Sequence, residues 1–257
     1  MGVYVITGGT TGIGAEVRRL LLEEGHEVFN VDYKGGDFEA DLSTDEGVNA
    51  AIRTVEEKYP EGIDGLVSNA GVGPTAPAEK IFALNFYAGT YIAEGLRPLL
   101  AKKKGCCVMT CSNTITNSIV RMDWVELLTN LRNRERGMDL ARMIPREKGP
   151  AAYSSSKCAL ARWIRRVSPN WAVDGLRING VAPGNTTTPM TKGMTEQQRN
   201  AALLIPIPTR YGTKEFLDAV EIANSIVFLA SRKASGINGE ILFVDGGIDA
   251  LMHSERF

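Results

Sequence analysis

The sequence predicts a single-domain α/β fold, residues 1–257, in which helices flank a doubly wound parallel sheet. Three observations lead there. Short β-branched apolar runs alternate with amphipathic helical stretches along most of the 257 residues. The first run, VYVIT, feeds a glycine-rich turn and then a helix. No internal repeat or low-complexity linker divides the chain, and one α/β domain of this length is ordinary.

Composition narrows the function classes. Lys and Arg number 29 against 30 Asp and Glu, so no charge excess points to a nucleic-acid partner. The four cysteines, Cys106, Cys107, Cys111 and Cys158, fit neither a zinc spacing nor a secreted disulfide framework, and no metal is expected. Reduced thiols suit a cytoplasmic protein. The chain shows no basic segment ahead of an apolar stretch and no run near the roughly 20 apolar residues of a membrane span. Neither a signal peptide nor a membrane partner is expected.

The opening strand, Val3 to Thr7, leads into TGGTTGIG and a helix whose Ile13, Val17, Leu20 and Leu21 form one stripe. Strand, glycine turn and helix make a Rossmann-type unit: the backbone approaches a pyrophosphate, whose charge sits on the helix N-terminus. Gly8, Thr11, Gly12, Ile13 and Gly14 are expected to contact a dinucleotide, a turn without ligand being the alternative. The next strand, EVFNVD, ends in Asp32, at about the 20-residue spacing where a carboxylate reaches the adenosine ribose hydroxyls. It would repel a 2′-phosphate, and Lys34 is the nearest cation in sequence. NAD rather than NADP is the expected cofactor.

In ADLS, Asp41 with its neighbour Leu42 suits an adenine contact, and turn-forming duty suits Asp41 as well. A helix follows from about Thr44 to Tyr59-Pro60. IDGLVSNAG then gives a strand ending in Asn69-Ala70-Gly71, on the side of a parallel sheet where ligands bind. A long helix from about Ala78 to Lys102 carries Asn85, an amide that needs local partners or belongs to a polar relay. The strand from Gly105 to Cys111 places Ser112 at its carboxyl end. Residues 113–150 break the rhythm as a helical insertion. Trp124, Leu128 and Leu131 mark one helix and Leu140 and Ile144 a second, divided near Gly137. Arg132, Arg134, Arg136, Arg142 and Arg146 read as a solvated face.

After Gly149-Pro150 comes AAYSSSKCALARWIRR, rich in helix formers. Residues four apart share a helix face, so the Tyr153 phenol and the Lys157 ammonium address one site. A nearby cation favours the phenolate, which would make Tyr153 a proton donor and acceptor near neutral pH. A solvated pair is the bland alternative. LRINGVA then gives a strand ending at Pro183-Gly184. Residues 185–213, rich in Thr, Pro and Met, read as a flap over substrate with Met190, Met194, Leu203, Leu204 and Ile205 as an apolar wall. A helix from Asp218 to Ala230 and the strand in EILFVDGG complete the sheet. The tail IDALMHSERF would complete a neighbouring subunit's pocket or lie on the surface. His26 and His253 are assigned packing or surface roles.

Together these residues resemble the short-chain dehydrogenase/reductase family over essentially the whole chain. The matching motifs are TGGTTGIG, Asp32, Asn69-Ala70-Gly71, Asn85, Ser112, Tyr153-x-x-x-Lys157 and Pro183-Gly184. The resemblance implies that Ser112 binds the substrate oxygen and that Tyr153 exchanges its proton. It implies that Lys157 holds the nicotinamide ribose and lowers the Tyr153 pKa, and that Asn85 positions a water in a proton relay. Thr188 matches the position that meets the nicotinamide carboxamide, with Thr186 and Thr187 as adjacent candidates. The gap between Ser112 and Tyr153 exceeds the family's usual one. With DLSTDEG and DGGIDALM, it is similar to the bacterial 3α-hydroxysteroid dehydrogenase/carbonyl reductase subgroup, in which inserted helices alter subunit packing. A dimer is expected rather than the family's usual tetramer. The expected reaction is NAD-linked interconversion of a bulky apolar secondary alcohol and its ketone. An aromatic alcohol of the coniferyl type, or another short-chain reductase substrate such as an acyl β-keto group, is the first alternative, and a non-catalytic NAD-binding sensor the distant one.

Overall fold

The computed structural model describes residues 1–131, 134–213 and 215–255. Arg132 and the side chain of Leu131 lie outside the described residues. The strands are β1 (Val3–Thr7), β2 (Glu27–Asp32), β3 (Phe38–Glu39), β4 (Gly65–Ser68), β5 (Cys106–Thr110) and β6 (Arg177–Pro183). Then come β7 (Thr186–Thr187), β8 (Leu217–Asp218) and β9 (Ile241–Val244). The main sheet has the order β3-β2-β1-β4-β5-β6-β9, every pair parallel, while β7 and β8 pair separately. The strand order reverses between β1 and β4, and this switch point opens a crevice beyond the strands' carboxyl ends.

Burial on both faces explains the unbroken apolar runs. All of β4 and β5 is buried, and Val5, Ile6, Leu66 and Val67 have no exposed surface. On one face, α1 (Gly12–Glu23) and a later helix over Ala219–Ala230 cover Tyr4, Ile6 and Val67 with Val17, Leu21, Ile222 and Ile226. On the other, α2 (Asp45–Lys58) and further helices cover Val5, Leu66 and Met109.

The predicted helix from Ala78 is interrupted. It is α3 (Ala78–Phe82), one π-helical stretch over Ala83–Ala88, then α4 (Gly89–Lys103). Asn85 lies inside the π-helical stretch, and such widened turns cluster at functional sites.

The insertion forms α5 (Met122–Leu131) and α6 (Arg134–Met143). The first packs on α7 (Gly149–Val173) and the second on α3. Gly137 does not divide them. It sits within α6 because a Cβ there would collide with the Tyr87 hydroxyl. Nor is Arg134 a solvated cation: its guanidinium pairs with Asp45, donates to the Ser43 carbonyl and lies over the Tyr87 ring. Arg142, paired with Asp139, is exposed as predicted.

The flap contains α8 (Pro189–Lys192) and α9 (Glu196–Ala202). The latter is capped by Thr195, whose hydroxyl accepts from the Gln198 N–H at 3.2 Å. Then α10 (Ala219–Ala230) begins after Asp218, as the sequence suggests, and the chain turns after β9 into α11 (Ile248–Met252). Among the described residues no helix is long and apolar enough to cross a membrane.

Candidate active site

At the switch point the glycine turn is shaped by close approaches. Gly12 has φ +59°, a left-handed conformation costly for residues with a Cβ. A Cβ on Gly14 would collide with the Gly8 carbonyl and the Asn69 amide. Thr11 precedes α1 without a side-chain cap, leaving the first-turn N–H groups of Gly12, Ile13 and Gly14 to an external acceptor. An uncapped, close-packed helix start suits a diphosphate.

Side chains hold this turn in place. Asn30, fully buried in β2, accepts from the Gly9 N–H at 2.8 Å and donates to Thr10 Oγ1 at 3.1 Å. Its role was missed, although a polar residue inside the apolar run EVFNVD is a signal. Asp32 accepts from the Thr10 N–H at 3.0 Å and the Tyr33 N–H at 2.7 Å. Its carboxylate therefore lies across the opening of the turn, where a ribose would meet it. Asn69 donates to the Gly8 carbonyl at 2.9 Å and accepts from Thr110 Oγ1 at 3.1 Å. It ties the ends of β4 and β5 to the glycine turn, with Ala70 pressed on Gly8.

Asp41 performs turn duty: its carboxylate accepts from the Ser43 N–H and hydroxyl, and the Ser43 bond holds its pKa below the usual carboxylate range. Leu42 is 4% exposed in the core, so only its backbone can reach a ligand. On the far side, Gly184 N–H donates to the Val244 carbonyl at 3.0 Å directly after Pro183. Thr186 Oγ1 donates to the Gly184 carbonyl at 2.9 Å and is buried. Thr188 instead lies against the glycine turn, 3.3 Å from where a Gly12 Cβ would stand.

The second group of residues meets beside this cradle. Ser112, at the end of β5, is 6% exposed, and its Oγ accepts from Thr114 Oγ1 at 3.1 Å. Its own proton is thereby free to donate. Half-buried Tyr153, in α7, presents its phenol to Ser112. One turn further, Lys157 Nζ donates to the Thr110 carbonyl at 2.7 Å. Burial lowers the Lys157 pKa from 10.5 to about 8.

One expectation fails here. Burial raises the Tyr153 pKa above 10.0, with the Ser112 hydrogen bond pulling the other way. Shared helix spacing places both groups in one site, but the lysine reaches for a β5 carbonyl.

Asn85 Oδ1 accepts from the Val72 N–H at 2.8 Å, and its Nδ2 donates to the Val72 carbonyl at 3.0 Å. The side chain thus mimics a strand neighbour for the segment after Gly71. The same Oδ1 and Lys157 Nζ flank Gly71, 3.0 and 3.6 Å from where its Cβ would stand. Local partners therefore satisfy the amide.

A cleft of about 200 Å³ opens next to Ser112, lined by Asn113, Thr114, Asn117, Asn185, Ile205 and Asp249 among others. Of the predicted apolar wall only Ile205 lines it. Met190 packs on Gly73, Met194 and Leu203 join the α10 core, and Leu204 is 82% exposed. The tail serves its own subunit's cleft: Ile248, Asp249 and Met252 of α11 form one wall. His253 packs on the same helix, its Nδ1 meeting Asp249 Oδ1 at 2.9 Å. His26 accepts from the Gly2 N–H at 3.0 Å, a packing role. Among the described residues no cluster of three or more His, Cys, Asp or Glu could hold a metal.

Comparison with known proteins agrees with this geometry. Residues 2–122 match the short chain dehydrogenase family model, and residues 139–249 match that for Enoyl-(Acyl carrier protein) reductase. The chain is 32% identical to 3-alpha-hydroxysteroid dehydrogenase/carbonyl reductase of Comamonas testosteroni, covering 100% of both. It is 26% identical to 3-oxoacyl-[acyl-carrier-protein] reductase FabG of Vibrio cholerae, covering 96% of both. The crystal structure of the 3-alpha-hydroxysteroid dehydrogenase from Pseudomonas sp. B-0831, complexed with NADH, superimposes with a TM-score of 0.91 at 33% identity. That match covers 99% of this chain and 100% of the other. A parallel sheet with its switch-point cradle, a Ser–Tyr–Lys group and full-length relatives place the chain in the short-chain dehydrogenase/reductase family of oxidoreductases.

Proposed function

We propose that the protein is an NAD(H)-dependent oxidoreductase interconverting a bulky apolar secondary alcohol, a 3α-hydroxysteroid or related carbonyl compound, with its ketone. The observation that carries this reading is the Tyr153 phenol facing Ser112, one helical turn from Lys157, beside the glycine cradle. The bound dinucleotide supplies or accepts the hydride. Gly8, Thr11, Gly12, Ile13 and Gly14 hold its diphosphate, Asp32 its adenosine ribose, and Asn69, Ala70, Gly71, Pro183, Gly184 and Thr188 its far half. Asp32 favours NAD by repelling a 2′-phosphate.

In the reductive direction the ketone oxygen lies between the Ser112 hydroxyl, which orients it, and the Tyr153 hydroxyl, which donates the proton. A phenol pKa raised by burial keeps Tyr153 protonated for this at neutral pH. Lys157 supplies positive charge at the Thr110 end of the site, where a ribose hydroxyl can accept from it. Asn85 holds the segment after Gly71 so that the site keeps its shape.

The cleft favours a second reading. Its volume of about 200 Å³ is below the usual 300–1,000 Å³ of small-molecule pockets and suits an aromatic alcohol. Following NADH oxidation with a steroid ketone and an aryl ketone, for wild type and Tyr153→Phe, tests the proposal. Turnover lost in the variant supports it, and equal turnover in both proteins refutes it.

We also propose a cytoplasmic homodimer. The buried, unpaired thiols of Cys106, Cys107 and Cys111 support the compartment, and insertion helices lying on α3 and α7 support the assembly. Light scattering giving a tetramer would refute the dimer.

A further inference from the structure

Among the described residues that line the 200 Å³ cleft, Asp249 is the sole titratable side chain and none is Lys or Arg. Its other polar groups are amides and hydroxyls, namely Asn113, Thr114, Thr116, Asn117 and Asn185. Ile205, Ile248 and Met252 supply the apolar remainder.

Asp249 is held in place rather than free to swing away. Its Oδ1 accepts from Thr116 Oγ1 at 2.7 Å and meets His253 Nδ1 at 2.9 Å. Its backbone N–H donates to the carboxylate of Asp245, which is 4% exposed and also accepts from Asn113 at 3.4 Å. A second carboxylate thus stands directly behind the cleft. The turn that Thr116 closes begins at Ser112, and Thr114 both touches Ser112 and lines the cleft. Through Thr114, this negatively charged, amide-lined space adjoins the Ser112 hydroxyl that would meet a substrate oxygen.

We propose that Asp249 selects substrates by the charge of their far end, accepting neutral hydrogen-bonding groups and excluding carboxylates, sulfonates and phosphates. This rests on the alcohol/ketone reading of the site and adds the substrate class. The half-buried Asn117 amide and Asn185 Oδ1 are the groups that meet a distal hydroxyl or carboxamide. Two like charges within one small cleft repel by enough to change affinity roughly tenfold even at a surface-like dielectric.

The test uses para-acetylbenzamide and para-acetylbenzoate, equal in shape and different in charge. kcat/KM with NADH is measured at about pH 8.5, above the range where imidazoles ordinarily titrate. The amide is expected to exceed the acid by about tenfold or more, and Asp249→Asn to shrink that ratio mainly by improving the acid. Equal kcat/KM for the two compounds in wild type overturns the proposal, as does an unchanged ratio in a folded Asp249→Asn protein. Calorimetric binding of both compounds to the wild-type enzyme with NADH reads the same preference without turnover. Preferential amide binding with no turnover of any ketone therefore sinks the catalytic reading alone. Equal binding sinks the charge selection alone.

Discussion

Replacing Lys157 by methionine separates what the buried ammonium does for function from what it costs the fold. Lys157 is 5% exposed, and burial brings its pKa from 10.5 to about 8. That fall corresponds to a cost of about 3 kcal/mol for keeping the folded lysine charged. The unfolded chain holds the proton more tightly, so the cost is fully present below about pH 8 and disappears as pH rises toward 10.5. Methionine removes this cost but strips the Thr110 carbonyl of its donor, which returns about 1–3 kcal/mol. At pH 7 Lys157→Met should therefore be as stable as wild type or about 1–2 kcal/mol more stable, although inactive. Between about pH 7 and pH 10, wild type should gain about 2–3 kcal/mol on the variant. Urea denaturation of both proteins across that range measures the difference directly. A stability difference that stays constant with pH would refute the reasoning, because it would mean that the lysine titrates alike in folded and unfolded chains.

Other outcomes follow from the same geometry. Tyr153→Phe should cut kcat by about two to four orders of magnitude while leaving dinucleotide affinity within a few-fold, which steady-state rates and fluorescence titration check together. With the Tyr153 pKa raised, ketone reduction should hold level through neutral pH and fall only in strong alkali, whereas alcohol oxidation, which needs the phenolate, should climb with pH. Asn85→Ala strands the Val72 N–H and carbonyl and should lower stability by about 2–4 kcal/mol, a Tm drop of several degrees by calorimetry. Gly14→Ala drives a methyl into the Gly8 carbonyl and should abolish NADH binding and destabilise the fold; a variant that binds normally would contradict the cradle.

Most of the sheet and the shape of the glycine turn were legible because their signals are local. A parallel strand buried on both faces reads as an apolar run, and the glycine turn with Asp32 after the next strand needs no distant information. Tyr153 and Lys157 were paired by helix spacing alone. The direction of the Tyr153 shift was not readable, since it depends on burial, which outweighs the opposing Ser112 hydrogen bond. Nor was the break around Asn85, because ALNFYAGTY keeps a helical pattern and the widened turn answers to Val72 across space. Gly137 resembled a helix break in sequence and proved to be a contact with Tyr87. The tail was read as serving a neighbour or lying on the surface because nothing local ties Asp249 to Thr116, 133 positions away.

The most direct test of the central claim is NADH formation from a 3α-hydroxysteroid, measured as kcat/KM with NAD and again with NADP. The account predicts turnover with NAD at least about tenfold better than with NADP, since the role proposed for Asp32 has its carboxylate repel a 2′-phosphate. A preference for NADP would contradict the role of Asp32. Tight NADH binding without oxidation of this or any other secondary or aromatic alcohol would contradict the assignment of Ser112, Tyr153 and Lys157 to catalysis.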